Sequence, residues 1–330
     1  MEAGSVMDAP CAVKPPCVTI KNTAARLPRS VSGGFSHMST YQITGHTRMG
    51  GLLGSPVSHS LSPMMHNDSF RALSIDWVYL CFDIGTEQLP QVVQAFRDMN
   101  VFGFNLTMPH KRTVIPLLDE LTDAAKLCGA VNTVRCDDGH LTGHSTDGTG
   151  FLTSLARAGY CIAGKTVTVL GAGGAATAIL AQMVLDGAEK IYVACRRSAS
   201  WQANEDKIAR LSAAGWTTLA LVDTADTDQL RSCIAESTLL VNGTPVGMAP
   251  NTDASPLPEG HSMFHRDLLC ADLIYNPRKT RFLADAEAAG CRTLGGLGML
   301  LYQGAAAFSF WTGQEMPVDM IRERYFPGVQ

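Results

Sequence analysis

The pattern of apolar and polar positions changes character near residue 40. Residues 1–40 show no hydrophobic periodicity and are rich in Pro, Ser, Thr and Gly, with Lys14, Lys21, Arg26 and Arg29 among their basic side chains. Such a segment buries too little apolar surface to fold and reads as a disordered leader, with translation in effect beginning at Met38. A transit peptide is the alternative, although no apolar core region or clear amphipathic helix supports it. From Gly50 onward short apolar runs alternate with amphipathic stretches. The runs at 49–53, 77–82 and 101–106 predict strands, and 62–72 and 87–99 predict the helices between them. A second series opens near Gly164: 165–170 (KTVTVL) and 190–195 (KIYVAC) read as strands around a helix at 175–185. The stretches 239–242 and 269–274 read as further buried strands. Strands alternating with helices of this length imply βαβ units around parallel sheets.

A chain of 330 residues exceeds the usual single-domain range, so two domains are expected. The apolar segment 297–311 is interrupted by Gln303, Gly304 and Ser309 and predicts a buried helix, not a membrane span. Net charge is −4 and pI about 6.1, without the basic surface that a polyanion requires, which excludes nucleic acid as a partner. The ten cysteines are scattered and none forms a Cys-x-x-Cys pair, so no structural metal site is expected. They read as small buried hydrophobes of a reducing cytosol, and a cytoplasmic location is expected.

The string V-L-G-A-G-G-A-A places Gly171, Gly173 and Ala176 in a G-x-G-x-x-A arrangement between an apolar strand and a helix. Gly171 permits the tight turn, Gly173 lets the backbone approach a pyrophosphate, and Ala176 allows close helix–strand packing. An ordinary βα turn is the competing reading, but both flanks fit a dinucleotide site. The ribose-reading position about 20 residues on should carry an acid if the 2′-hydroxyl is free. Here it is Cys195-Arg196-Arg197-Ser198, and two arginines suit a 2′-phosphate, so NADP is expected ahead of NAD.

Three polar clusters fall at predicted loop ends: Ser58 to Pro63, Asn105 to Lys111, and Gly129–Thr133 leading to Ser145–Gly148. Taken singly, Ser60 or Ser62 would be a helix N-cap before Pro63, Asn132 a turn residue, and Asp147 the cap of a following helix. Taken together, hydroxyls, amides, a lysine and a carboxylate beside a dinucleotide turn suit a polyhydroxylated, anionic small molecule.

The strings SHSLSP, NLTMPHK, GAVNT, STDGTGF, GAGGAATA, NGTPVGM and GGLGMLLYQGA resemble the shikimate/quinate dehydrogenase family in order and spacing, from about residue 45 to 311. The resemblance implies that Lys111 and Asp147 form the catalytic pair and also contact substrate. It implies that Ser60 and Ser62 bind a substrate carboxylate, that Thr107, Asn132 and Gln303 hold ring hydroxyls, and that Tyr275 lies close to substrate. Gly171, Ala172, Gly173, Gly174, Ala175, Arg196 and Arg197 would bind cofactor, with Gly296 near the nicotinamide. Hydride delivery to a ketone develops negative charge on oxygen, so a proton donor must sit within hydrogen-bond reach, and Asp147 is expected mainly to orient Lys111. The chain departs from the family pattern at Ser145 and Cys195, where the family usually has Asn, and at Gly295, often an acid. The implied reaction is reversible NADPH-dependent reduction of 3-dehydroshikimate to shikimate, a step of the shikimate pathway to chorismate and the aromatic amino acids. A quinate/shikimate dehydrogenase using NAD or NADP is the alternative: the stretch from 239 resembles that branch, whereas Thr107 and Ser198 do not. A non-catalytic, ligand-binding regulator of the same fold would be expected to lack Lys111 or Asp147. The expected architecture is α/β with two domains and the active site in the cleft between them. Residues 41–146 with 296–330 would form the substrate domain, and 147–295 a Rossmann-type doubly wound nucleotide domain. A monomer or homodimer is expected, with small-molecule partners only.

Overall fold

The computed structural model describes residues 42–257 and 260–329, so the leader at 1–40 lies outside the described residues. The first sheet contains β1 (Arg48–Gly54), β2 (Trp77–Asp83), β3 (Gly103–Leu106), β4 (Glu120–Leu121), β5 (Thr133–Asp137) and β6 (His140–His144). Its helices are α1 (Ser62–Ala72), α2 (Leu89–Asp98), α3 (His110–Thr113) and α4 (Asp123–Cys128). The strand order is β2-β1-β3-β5-β6-β4, with β1 parallel to β2 and β3, and β5 antiparallel to both β3 and β6. The β5–β6 hairpin turns on Asp138 and Gly139, both at positive φ, as a two-residue Asp-Gly loop requires. It fills the stretch between Asn132 and Ser145, to which the apolar pattern assigns no element.

After α5 (Asp147–Arg157) the chain enters the second sheet through β7 (Thr166–Leu170). Then follow α6 (Gly174–Leu185), β8 (Lys190–Cys195), α7 (Trp201–Ser212), β9 (Thr218–Asp223) and α8 (Thr227–Glu236). The sheet is completed by β10 (Leu239–Asn242), β11 (Leu269–Asp272), α9 (Arg281–Ala288) and β12 (Arg292–Leu294). Its order, β12-β11-β10-β7-β8-β9, is parallel throughout and is the doubly wound Rossmann arrangement. Buried runs such as Val167, Val169 and Leu170 on β7 suit a sheet covered on both faces. The expected two-sheet α/β class is therefore what the chain adopts, with a mixed first sheet and a parallel second one. The topological switch lies between β7 and β10, where such sheets bind ligands beyond the strand ends.

The C-terminal helices α10 (Leu297–Thr312) and α11 (Val318–Tyr325) return to the first sheet. Leu301, Phe308 and Trp311 share a core with Leu52, Phe70, Tyr79 and Phe102, and Trp311 Nε1 donates to Val134 O at 2.9 Å. Helix α5 makes close approaches on two sides: a Cβ on Gly150 would lie 2.4 Å from the Gln303 amide of α10, and one on Gly148 2.4 Å from Ala178 O of α6. Asp147, one residue earlier, is thus placed by contacts to both sheets' helices.

His66 of α1 is fully enclosed in the first core, 4.7 Å from the Tyr79 ring and 5.1 Å from Trp311. Its Nδ1 has no partner among the described residues, and burial lowers its pKa to about 3. An unfolded histidine takes its proton near pH 6.5, whereas the folded one refuses it down to about 3. The stability it permits is therefore complete above about pH 6.5 and is lost as pH falls, at about 1.4 kcal/mol per unit. Denaturation at pH 7.5 and 5.0 should show His66→Phe losing about 2 kcal/mol less than wild type over that interval. Equal losses in the two proteins would show that this histidine does not set the acid limb.

Candidate active site

Lys111 and Asp147 meet as the sequence predicts. Lys111 Nζ lies 2.6 Å from Asp147 Oδ2, with side chains 35% and 14% exposed, so the pair is partly screened from water while the ammonium stays reachable. Single-turn α3 holds the lysine: its neighbour His110 is fully buried, with Nε2 2.8 Å from Ile84 O, and Val131 N donates to Lys111 O at 2.8 Å. Asp147 is the first residue of α5, where a carboxylate also favours the helix N-terminus. It is not a cap, however: Thr146 holds the N-cap position without a side-chain cap bond, and both Asp147 oxygens serve other partners.

Asn132, expected either as a turn residue or as a substrate ligand, is a buried hub. Its Nδ2 lies 2.9 Å from Asp147 Oδ1, 2.8 Å from Thr146 Oγ1 and 3.3 Å from Gln303 Oε1. Its Oδ1 accepts from Thr146 N at 2.8 Å, which fixes the amide's orientation. Two residues to which the sequence reading gave no role extend this network. Asn105 Nδ2 donates to Asn132 O and to Thr133 Oγ1, both at 3.0 Å, and the Tyr79 hydroxyl donates to Asn105 Oδ1 at 2.7 Å. Burial pushes the Tyr79 phenol well above its usual range, against a hydrogen bond with Ser62. A buried polar path therefore joins Tyr79 to the Lys111–Asp147 pair.

The serines do not cap α1. Leu61 occupies the N-cap without a side-chain bond, and the Ser60 hydroxyl accepts from Ser62 N at 3.2 Å. Thr107 follows β3, its amide bonded to Leu53 O at 3.0 Å, and packs where a Cβ on Gly54 would lie 2.2 Å from its methyl. Tyr275 is 45% exposed, and among the described bonds none joins it to this network. His144 is a packing residue, with Nδ1 2.8 Å from Thr122 Oγ1, its ring 4.9 Å from Phe310 and its pKa lowered by burial.

The glycine-rich turn stands at the switch point. Gly171 has φ +97°, and a Cβ there would meet Thr244 and Gly243, which follow β10. Beyond Gly173 and Gly174 a Cβ would meet nothing within 4 Å, and Gly173 caps α6 with no side-chain bond. Open space over an uncapped N-terminus of a 12-residue helix fits a dinucleotide's phosphates. Arg196 and Arg197 are exposed at the end of β8, with the Arg197 guanidinium 5.2 Å above the Trp201 ring. Gly296 begins α10 against the end of β11, where a Cβ would lie 2.4 Å from Leu273 O. Among the described residues no three His, Cys, Asp or Glu side chains are placed to hold a metal, and no helix is long and apolar enough to cross a membrane.

Two family signatures match: the shikimate dehydrogenase substrate-binding domain over residues 52–134 and the shikimate 5′-dehydrogenase C-terminal domain over 296–324. The shikimate dehydrogenase (NADP(+)) of Listeria monocytogenes serotype 4b is 48% identical over 287 residues, covering 87% of this chain and 98% of that protein. The chain belongs to the shikimate dehydrogenase family. Among solved structures of that family, the Listeria monocytogenes shikimate 5-dehydrogenase in complex with shikimate and NAD superposes with a TM-score of 0.84 at 48% identity. That match covers 86% of this chain and 98% of the other. The quinate dehydrogenase of Corynebacterium glutamicum in complex with NAD gives 0.75 at 32% identity, covering 84% and 98%. At two positions where this chain departs from the family pattern, Asn204 of α7 brings its amide to within 3.5 Å of Cys195 Sγ, and Ser145 is buried.

Proposed function

We propose that this protein is an NADP-dependent shikimate dehydrogenase, an oxidoreductase acting on a CH–OH group. In this reading it interconverts 3-dehydroshikimate and shikimate in the pathway to chorismate and the aromatic amino acids. The observation that carries the reading is the 2.6 Å Lys111–Asp147 pair, tied through Asn132 to Gln303 and, through Asn105, to Tyr79. The kinship to relatives named shikimate dehydrogenase (NADP(+)) supports it.

Residues 41–146 with 296–330 form the substrate half in this reading, 147–295 the nucleotide half, and the active site lies in the cleft between them. Ser60 and Ser62 bind the substrate carboxylate, while Thr107, Asn132 and Gln303 hold ring hydroxyls and Tyr275 flanks the ring. The turn at Gly171, Ala172, Gly173, Gly174 and Ala175 holds the cofactor phosphates, Arg196 and Arg197 the 2′-phosphate, and Gly296 borders the nicotinamide. When bound, the cofactor supplies or accepts the hydride. Lys111 donates a proton to the developing oxyanion in the reductive direction and, as the amine, takes the hydroxyl proton in the oxidative one. Asp147 and Asn132 hold Nζ in line with that oxygen. The protein acts in the cytoplasm, as monomer or homodimer, a setting that suits its free cysteines.

Quinate oxidation with NAD is the second reading, favoured by the likeness to the NAD-bound quinate dehydrogenase. Reduction of NADP or NAD by shikimate or quinate, followed by absorbance, separates the two. A non-catalytic regulator would bind ligand without any change in cofactor absorbance.

A further inference from the structure

Lys207 lies on the second turn of α7. In the structure it is half-buried behind the glycine-rich turn. Its Nζ donates to Ala172 O at 2.5 Å and to Asn204 Oδ1 at 3.2 Å, and Asn204 in turn reaches Cys195 Sγ at the end of β8. One ammonium group thus ties together the turn after β7 and the tip of β8, the two backbone segments with which a Rossmann sheet holds pyrophosphate and ribose. No carboxylate is bonded to it among the described residues. Burial lowers its pKa, and two further cations, Arg112 of α3 and Arg210 of α7, push the same way. A half-buried ammonium bonded only to neutral oxygens and facing like charges is an unfavourable arrangement by itself. An anion bound at the adjoining turn would offset that cost.

We propose that Lys207 is a positioning residue of the cofactor site. It fixes the glycine-rich turn through Ala172 and, with Arg112 and Arg210, contributes positive charge behind the phosphates of a bound dinucleotide. The proposal rests on the reading that this turn holds NADP(H). It assigns a role in affinity, not in the chemical step.

The test is a fluorescence titration of the full chain with NADPH, in low and high salt, alongside steady-state kinetics and thermal unfolding. Lys207→Met, which keeps the length of the stem, should weaken NADPH binding about ten-fold. It should leave kcat at saturating cofactor, and KM for shikimate, within about two-fold. Lys207→Arg, retaining donor and charge, should bind within about three-fold of wild type. The double variant Arg112→Gln/Arg210→Gln leaves the Ala172 bond in place and should weaken binding about three-fold, with a flatter salt dependence. A folded Lys207→Met protein with wild-type NADPH affinity overturns the proposal. So does one whose cofactor affinity, shikimate KM and melting temperature all worsen together, the pattern of a merely structural role. If Lys207→Met does not fold, unchanged affinity and salt dependence in the double variant overturn it instead. A wild-type protein that binds no NADPH overturns the reading of the turn as an NADP(H) site, and this proposal with it.

Discussion

Lys111→Ala should lower kcat for shikimate oxidation by about three to four orders of magnitude while leaving NADPH affinity within about two-fold of wild type. The size follows from the two roles proposed for one nitrogen: moving the proton and stabilising charge on the reacting oxygen. The selectivity follows from position. Lys111 lies on α3 of the first sheet unit, bonded to Asp147, whereas the open glycine-rich turn lies between β7 and α6. Rapid kinetics with saturating substrates, paired with a fluorescence titration of NADPH, reads both quantities. Full turnover in the variant would remove the lysine from the mechanism. Loss of cofactor affinity comparable to the loss of kcat would show that the substitution had disturbed the site as a whole.

Asp147→Asn tests whether the carboxylate acts through the lysine. The substitution is isosteric and leaves an oxygen that can accept from Lys111, but it removes the charge and places an amide where Asn132 Nδ2 now finds an acceptor. A drop in kcat of about one hundred-fold is expected, with a smaller rise in KM for shikimate as the Asn132 hub loosens. The sharper measurement is the double variant. If Asp147 works by orienting Lys111, then Lys111→Ala/Asp147→Asn is no slower than Lys111→Ala alone, because the second change has nothing left to misplace. Fully multiplied losses would instead give Asp147 an independent role on the substrate hydroxyl.

Much of the scaffold was legible because its signals are local. The 62–72 helix was bounded to the residue by Pro63 in its first turn. The nucleotide unit followed from a glycine string with a β-branched strand before it and a helix after it. The second helix starts at Leu89, not 87, because residues 86–88 form the turn that admits Pro90 in the first turn. Strands β4 and β12, two and three residues long, fall below any period-2 pattern. The β5–β6 hairpin was readable: Asp138-Gly139 between TVRCD and HLTGH is a strong turn signal, in a stretch to which no element was assigned.

The site divides in the same way. Lys111, Asp147 and Asn132 stood out because each lies in a compact polar string, and the structure joins them. Asn105 lay in the same string as Lys111 but received no role, and Tyr79 did not stand out, since their bonds span 26 and 27 residues of sequence and a tyrosine in an apolar strand looks like core. Lys207 was hidden for a related reason: nothing in WQANEDKIARLS marks which polar residue of an amphipathic helix turns toward a loop 35 residues earlier. The cap readings of Ser60, Ser62 and Asp147 failed for local reasons: Leu61 and Thr146 hold the N-cap positions, the Ser60 hydroxyl takes the Ser62 amide ahead of α1, and both Asp147 oxygens go to Lys111 and Asn132.

Reduced-nicotinamide absorbance, followed with the purified protein and four combinations, shikimate or quinate each with NADP or NAD, decides whether the protein is an NADP-dependent shikimate dehydrogenase. Fastest turnover with shikimate and NADP is the predicted result, and it would also support Arg196 and Arg197 as readers of the 2′-phosphate. Preferential turnover of quinate with NAD would contradict it, make those arginines surface charges, and move the protein to the quinate branch. No turnover in any combination, with shikimate still bound, would contradict the enzyme reading altogether.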